Sequence, residues 1–316
     1  MSTATMVEHV SVMVRESVAG LNVRPGGRYI DGTLGAGGHA LAIMEAASPG
    51  GSLLGIDHDP EALDVARSRL ATFGDDARLV QGNFAEMDRI CREVNFAPVH
   101  GILLDLGLSS LQLDEARRGF SFQREGPLDM RFSPDRELTA ATIVNEYDEE
   151  ALADVIWRYG EERKSRRIAR RIVERRPLHT TTELAKTVEE AVGRGARRHS
   201  HPATRTFQAL RIAVNQELLS LDDALPRACG LLGDLGRLVV LSYHSLEDRI
   251  VKTFMQRESR ACVCPPSQPI CTCEHEARLR RVSRGAVRPS DDEVAANPRS
   301  RSARLRVAER LPASAS

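Results

Sequence analysis

The chain has 316 residues, with 44 Lys+Arg balanced by 44 Asp+Glu, which suits one large domain or two with a sizeable core. It carries no signal-peptide pattern and no apolar run long enough to span a bilayer, so a soluble cytoplasmic protein is expected rather than a membrane protein. Neutrality overall leaves a nucleic-acid partner open, because basic runs at Arg163–Arg176, Arg194–Arg211 and Arg278–Arg288 contrast with an acid-rich Glu45–Asp88.

Residues 1–27 open with a helical pattern from His9 and close in the turn Pro25-Gly26-Gly27. The rest of the chain is organised around the stretch Arg28–His39. Tyr29-Ile30 reads as the end of a buried strand. The chain turns through Gly32, Gly35, Gly37 and Gly38 and enters an apolar helix with Ala40, Leu41, Ile43 and Met44. A strand, a glycine turn and a helix bring backbone N–H groups close to a polar ligand.

Ser52–Asp57 reads as a second buried strand. An acid at its end, some 20 residues beyond the glycine turn, can accept hydrogen bonds from a ribose hydroxyl pair, and Asp57 fills that position. Asp59-Pro60 suits the cap of the next helix, which leaves Asp57 free. A third strand, Ala77–Gly82, ends at Asn83-Phe84, where an aromatic ring can lie against an adenine or pack in the core. The fourth strand, Gly101–Ser110, places Asp105 at the carboxyl edge of a parallel sheet, where ligands of open α/β folds bind.

The alternation of strand and helix then stops. Residues 111–140 carry Gly119-Phe-Ser-Phe and Gly126-Pro-Leu-Asp-Met-Arg-Phe132 with little periodicity. Residues 141–225 read as helical, with a capping box at Thr180–Glu183. One long helix is expected to present Phe207, Leu210, Val214, Leu218, Leu221 and Leu225 on one face. Residues 112–205 therefore read as a helical insertion into a discontinuous domain formed by 1–111 and 206–316. A fifth strand at Gly236–His244, a helix capped by Ser245, and a half-exposed strand at Ala303–Arg310 at or near a sheet edge complete the pattern.

The glycine turn, Asp57, Phe84 and Asp105 fall at the ends of four successive strands, so a parallel sheet gathers them on one rim suited to an adenosine-containing ligand. Gly35–Ala40 also matches the weak G-x-G-x-x-G/A form, which keeps an NAD(P)-dependent oxidoreductase as an alternative. A second alternative is a non-catalytic RNA-binding assembly factor. The basic run Arg163–Arg176 suits phosphate contacts. Glu161, Glu162 and Glu174 equally allow a solvated helix with ion pairs. Four of the six cysteines form Cys262-x-Cys264 and Cys271-x-Cys273, near His275. Four thiolates suit zinc, yet the tight C-x-C spacing and Pro265, Pro266 and Pro269 favour an exposed loop, and no metal is expected.

The chain closely resembles the bacterial ribosomal small-subunit methyltransferase H, or MraW-like, family. The resemblance runs over nearly the whole length. It is carried by Asp31–His39, Gly101–Gly107, Gly119–Phe122, Gly126–Arg131, Tyr159–Arg163, His201–Gln208 and Ser242–Arg249. It implies a class I S-adenosylmethionine-dependent methyltransferase, an α/β Rossmann-like sheet with an inserted helical domain. It also implies transfer of a methyl group to the exocyclic N4 of a cytosine in the decoding region of 16S rRNA, with the small ribosomal subunit as partner and a monomer or homodimer as the assembly. By resemblance, Gly37, Gly38 and His39 contact the methionine end, Asp57 the ribose and Phe84 the adenine. Asp105, the implied catalytic residue, and Gln112 lie near the transfer site. Related DNA amino-methyltransferases carry two prolines and an aromatic after this acid, whereas this chain has Asp105-Leu-Gly-Leu. Phe120, Phe122 and Tyr243 are candidates for the missing stacking ring, and His201 and Arg205 for RNA contacts.

Overall fold

The computed structural model describes residues 11–108, 115–193 and 201–312, apart from Pro266 and Pro269. The chain divides into two compact units, one formed by Met1–Gly107 with Leu218–Ser316 and the other by Leu108–Glu217.

The first unit is built on a seven-stranded sheet of order β3-β2-β1-β4-β5-β7-β6. Its strands are β1 (Arg28–Asp31), β2 (Ser52–Asp57), β3 (Ala77–Gln81), β4 (Val99–Asp105), β5 (Leu232–Ser242), β6 (Leu279–Arg281) and β7 (Arg304–Arg310). β1 to β5 run parallel to one another, while β7 runs antiparallel to both β5 and β6. The central strands are apolar on both faces because helices cover both sides of a parallel sheet. Ile30, Leu54, Ile102, Leu104, Leu238 and Val240 form one core with α4 (Met87–Glu93), α10 (Glu217–Leu231) and α11 (Ser245–Glu258). Tyr29, Leu53, Leu103, Val239 and Leu241 point the other way, toward α1 (Val14–Leu21), α2 (Gly38–Ala47) and α3 (Pro60–Arg69). This alternation with period two is the pleat itself. Strand order reverses between β1 and β4, which opens a crevice at their carboxyl ends.

The second unit packs α5 (Ala140–Glu146), α6 (Glu149–Gly160), α7 (Ser165–Arg175), α8 (Thr181–Val192) and α9 (Thr204–Asn215) around their own core of Ile143, Leu152, Ile156, Ile168, Leu184, Val188 and Phe207. Gly160 lets α6 and α9 approach closely, since a Cβ there would come within 2.6 Å of the Arg205 carbonyl oxygen. Residues 115–139 are irregular but pinned. A Cβ on Gly119 would land on the Pro127 carbonyl, and one on Gly126 on the Ala116 carbonyl. These two motifs are folded against each other.

Several sequence expectations change. The single helix over Phe207–Leu225 is two helices, α9 and α10, broken where Gln216 adopts φ 52°. The side chain of Asn215 holds that break, donating to the Met130 carbonyl at 2.7 Å and accepting from the Phe132 N–H at 2.8 Å. α9 consequently lies whole within the second unit, and the junctions fall after Gly107 and Glu217 rather than after 111 and 205. The cap of α11 is His244, one residue before Ser245. Its ring accepts from the Glu247 N–H, while Glu247 accepts from the His244 N–H. β7 lies one strand in from the edge, because β6 covers it. The first described helix starts at Val14, and residues before Ser11 lie outside the described residues. The capping box at Thr180–Glu183 forms as expected.

Candidate active site at the carboxyl rim of the sheet

Parallel pairing puts the strand ends side by side. Asp31 pairs with Gly55 of β2 and Leu103 of β4, so Asp31, Asp57 and Asp105 end β1, β2 and β4 on one rim. Each of the three has local hydrogen bonds that fix it. Asp57 accepts the Gly35 N–H at Oδ2 (2.7 Å) and the Asp59 N–H at Oδ1 (2.9 Å), so the acid expected to be free in fact ties the glycine turn to β2. Asp59 caps α3 through the Glu61 N–H at 3.1 Å. Asp31 accepts the Thr33 N–H at 3.1 Å through Oδ1. Its Oδ2 is buried with no hydrogen-bond partner among the described residues. The Asp105 N–H donates to Thr33 Oγ1 at 2.6 Å, which locks the end of β4 to the β1 turn.

Burial pushes the Asp31 carboxyl up to about 6. His39 and the Thr33 N–H oppose the rise, whereas Asp105 and Asp57 add to it. Burial likewise raises Asp57 to about 6, against the pull of the Asp59 and Gly35 N–H donors. A buried oxygen without a partner inside a group of three carboxylates costs free energy unless something positive or hydrogen-donating meets it.

Asp105 has two further neighbours. The Tyr243 hydroxyl lies beside its carboxylate, and burial, followed by the Asp105 charge, raises the tyrosine pKa well above its ordinary value. His39 Nδ1 lies 3.7 Å from Asp105 Oδ2. The other ring nitrogen lies 2.9 Å from the Val12 carbonyl oxygen, an acceptor only, so Nε2 carries the hydrogen. Tyr243 is held in place by its N–H, which donates to Glu247 at 2.8 Å, and by its ring, which lies where a Cβ on Gly107 would be.

The glycine turn serves two ends. Gly35 and Gly37 have φ of 50° and 78°, in the left-handed region. A Cβ on Gly38 would land on the Ser11 hydroxyl. The N–H groups of Gly32, Leu34, Gly35 and Gly37 already donate to Leu103, Ile56, Asp57 and Leu34. The loop therefore offers no open row of N–H groups for a pyrophosphate. α2 begins at Gly38 with no side-chain cap, which leaves its first turn able to receive a single carboxylate. Phe84 follows β3 in a short 3-10 turn, half-buried, with its Cβ 3.3 Å from where a Cβ on Gly32 would sit. Gly37, Gly38, His39, Asp57, Phe84 and Asp105 thus all lie at the strand ends, turns and first helical turn along this rim, while Gln112 lies outside the described residues.

The profile of the MraW methylase family matches residues 6–311. The chain belongs to the MraW methylase family. It is 60% identical over 303 residues to the ribosomal RNA small subunit methyltransferase H of Dehalococcoides mccartyi (strain BAV1), covering 96% of this chain and 86% of that one. It is 53% identical to the protein of the same name from Geobacter sulfurreducens and 49% identical to that from Heliobacterium mobile, each comparison covering 96% of this chain and 99% of the relative. The family resemblance read from the motifs holds, and the sheet of this MraW methylase is the mostly parallel α/β methyltransferase sheet it implied.

Sequence reading passes over two rim residues of this methylase. Asp31 is visible in the sequence only as the residue before the glycine turn, although it repeats the strand-end acid pattern of Asp57 and Asp105. Tyr243 reads there as a stacking ring, whereas its hydroxyl is engaged with Asp105. Other candidates have structural partners. Phe120 is buried and stacks on Phe132 at 5.5 Å. Phe122 stacks on His201 at 4.4 Å, and His201 pairs with Glu189 at 2.6 Å. Arg205 lies 3.7 Å from Glu162. In the basic run, Arg171 and Arg175 pair with Glu190, and Arg176 donates to the Val144 and Tyr147 carbonyls. Arg163, Arg166 and Arg167 are exposed.

Proposed function

We propose that this chain is an S-adenosylmethionine-dependent methyltransferase that acts on the exocyclic N4 of a cytosine in the decoding region of 16S rRNA, in the cytoplasm. The observation that carries the reading is the group of Asp31, Asp57 and Asp105 on one rim, with a buried Asp31 oxygen that has no hydrogen-bond partner among the described residues. Three carboxylates suit a ligand bearing a sulfonium and an ammonium, and they repel a dinucleotide pyrophosphate. The uncapped start of α2 suits the single carboxylate of a methionine moiety. The oxidoreductase alternative is weakened by the same carboxylates, and also because the Gly32, Leu34, Gly35 and Gly37 N–H groups have protein acceptors while the first turn of α2 suits one anionic group.

When bound, S-adenosylmethionine supplies a methyl group on a positively charged sulfur. The residues of the chain have the remaining tasks. In this reading Gly37, Gly38 and His39 hold the methionine end. Asp57 takes the ribose hydroxyls, since each of its oxygens retains acceptor capacity beside the N–H it already receives. Phe84 faces the adenine. Asp105 accepts a hydrogen bond from the cytosine N4 amine. That pull on the amine proton frees the nitrogen lone pair from the ring, which the reaction requires. Tyr243 and the Gly107 N–H keep the Asp105 carboxylate aimed. Positioning is the main contribution, because an oriented amine needs no covalent help.

The name carried by the relatives, ribosomal RNA small subunit methyltransferase H, supports the substrate class. The test is transfer of labelled methyl from S-adenosylmethionine to small subunits from cells lacking this protein, with the modified nucleotide mapped by mass spectrometry. N4-methylated cytidine is expected. Binding of S-adenosylhomocysteine without transfer to any particle would leave the assembly-factor alternative standing. Methyl on another atom would overturn the N4 assignment.

A further inference from the structure

We propose that Cys262, Cys264, Cys271 and Cys273 form a structural zinc site that holds the segment between α11 and β6. All four sulfur atoms lie within 4.8 Å of one another. Cys264–Cys271, Cys271–Cys273 and Cys273–Cys262 are separated by 4.0, 3.6 and 3.8 Å. A zinc ion with four thiolates at about 2.3 Å in a tetrahedron requires sulfur–sulfur distances of about 3.8 Å. A disulfide requires about 2.05 Å, and all four cysteines are free thiols. The set has the spacing of ligands around one ion.

Between the two cysteine pairs the described residues are tied by Gln268, whose Nε2 donates to the Ile270 carbonyl at 3.0 Å and to Thr272 Oγ1 at 2.8 Å. None of the described residues from Ala261 to Arg278 is buried, so no apolar core gathers the loop. Ile270 is 74% exposed. Two backbone donors point at sulfur, the Val263 N–H at Cys273 Sγ (3.5 Å) and the Cys264 N–H at Cys262 Sγ (3.4 Å). Donors in this position offset the negative charge of a thiolate set. His275, close by in sequence, is not among the residues whose ligand atoms converge, and its Nε2 lies 3.1 Å from the Arg257 carbonyl oxygen at the end of α11. Four sulfurs this close leave room for a single ion. A multi-iron cluster must fit several metals and inorganic sulfides between its cysteines and would hold them further apart. Among single ions, tetrahedral sulfur ligation favours zinc.

Binding replaces four S–H bonds by four zinc–sulfur bonds and releases the protons to solvent, with no change of oxidation state. Affinity therefore falls as pH falls. The site is independent of the methyl-transfer rim, and its failure would leave the proposed function untouched.

The test uses the full-length chain expressed with added zinc and purified without chelator or metal-affinity resin. Elemental analysis is expected to give about one zinc per chain. Exchange with cobalt(II) is expected to give the strong visible bands of tetrahedral thiolate coordination. The Cys264→Ser/Cys271→Ser variant is expected to lose the metal, while the Cys91→Ser/Cys229→Ser variant keeps it. Less than about a tenth of a zinc per wild-type chain, with all four loop thiols reacting at once with a disulfide reagent, would overturn the site. Because stoichiometry is read on the wild-type chain, a variant that fails to fold does not rescue the proposal.

Discussion

The Tyr243 hydroxyl lies beside the Asp105 carboxylate, bringing the residue after β5 to the last residue of β4. The Gly107 N–H donates to Asp105 Oδ1 at 3.3 Å, and the Asp105 side chain stays 21% exposed. Asp105→Asn keeps the shape and removes the charge. Methyl transfer in single turnovers is expected to fall about 10²–10⁴-fold, with S-adenosylhomocysteine affinity by calorimetry nearly unchanged. Tyr243→Phe, which frees the carboxylate to turn, is expected to lose about tenfold. Near wild-type rates in Asp105→Asn would remove Asp105 from the transfer step.

Asp31 and Asp57 give the rim a pH dependence. Both sit at about 6 in the folded chain, against an ordinary value of 3.8. A raised carboxyl pKa means the folded state holds the proton more tightly than the unfolded state. The ligand-free chain therefore loses stability as pH rises from about 4 through about 6. A cationic ligand favours the charged carboxylates, so S-adenosylmethionine affinity is expected to climb over the same window. It should climb more steeply than that of S-adenosylhomocysteine, which lacks the sulfonium charge. Asp31→Asn is expected to flatten the stability slope, raise the melting temperature at neutral pH by a few degrees, and weaken S-adenosylmethionine binding by about tenfold or more. Calorimetry and thermal melting across pH 4–8 check this, and parallel curves for the two ligands would refute it.

The proposed RNA substrate makes the exposed arginines of the second unit a test. Arg166 and Arg167 lie on the solvent face of α7, whose opposite face buries Ile168, Ala169 and Ile172. Replacing both with Glu is expected to weaken binding to small-subunit RNA and to lower the log–log salt slope by about 1 per arginine. Arg171, engaged with Glu174 and Glu190, serves as the control. Its replacement should alter the salt slope much less. Filter binding at several salt concentrations distinguishes the two.

Asn215→Ala tests how the second unit holds its irregular segment. The Asn215 side chain is 3% exposed and satisfies both the Met130 carbonyl and the Phe132 N–H. Removing it leaves two polar groups without partners, at a cost of about 2–4 kcal/mol. Gly119→Ala attacks the same segment, because φ is 71° and the new Cβ would meet the Pro127 carbonyl. Both variants should melt early, which thermal denaturation checks.

The order of elements, the parallel core strands and the rim position of Asp57 and Asp105 are legible in the sequence, because apolar runs and strand-end acids are local patterns. The capping box at Thr180–Glu183 is legible for the same reason. Several features depend on groups far apart in the chain and are decided by tertiary structure alone. The break at Gln216 is held by Asn215 reaching back to Met130 and Phe132. The roles of Asp31 and Tyr243 exist only once β1, β4 and β5 lie side by side. Phe120 looks available in sequence and packing takes it, whereas His201 stays exposed beside Glu189. The four cysteines advertise their types in the sequence, but their 3.6–4.0 Å contacts arise from the path of the backbone. Residue type decides which chemistry a position can offer, whereas burial and long-range pairing decide whether that chemistry is free to act.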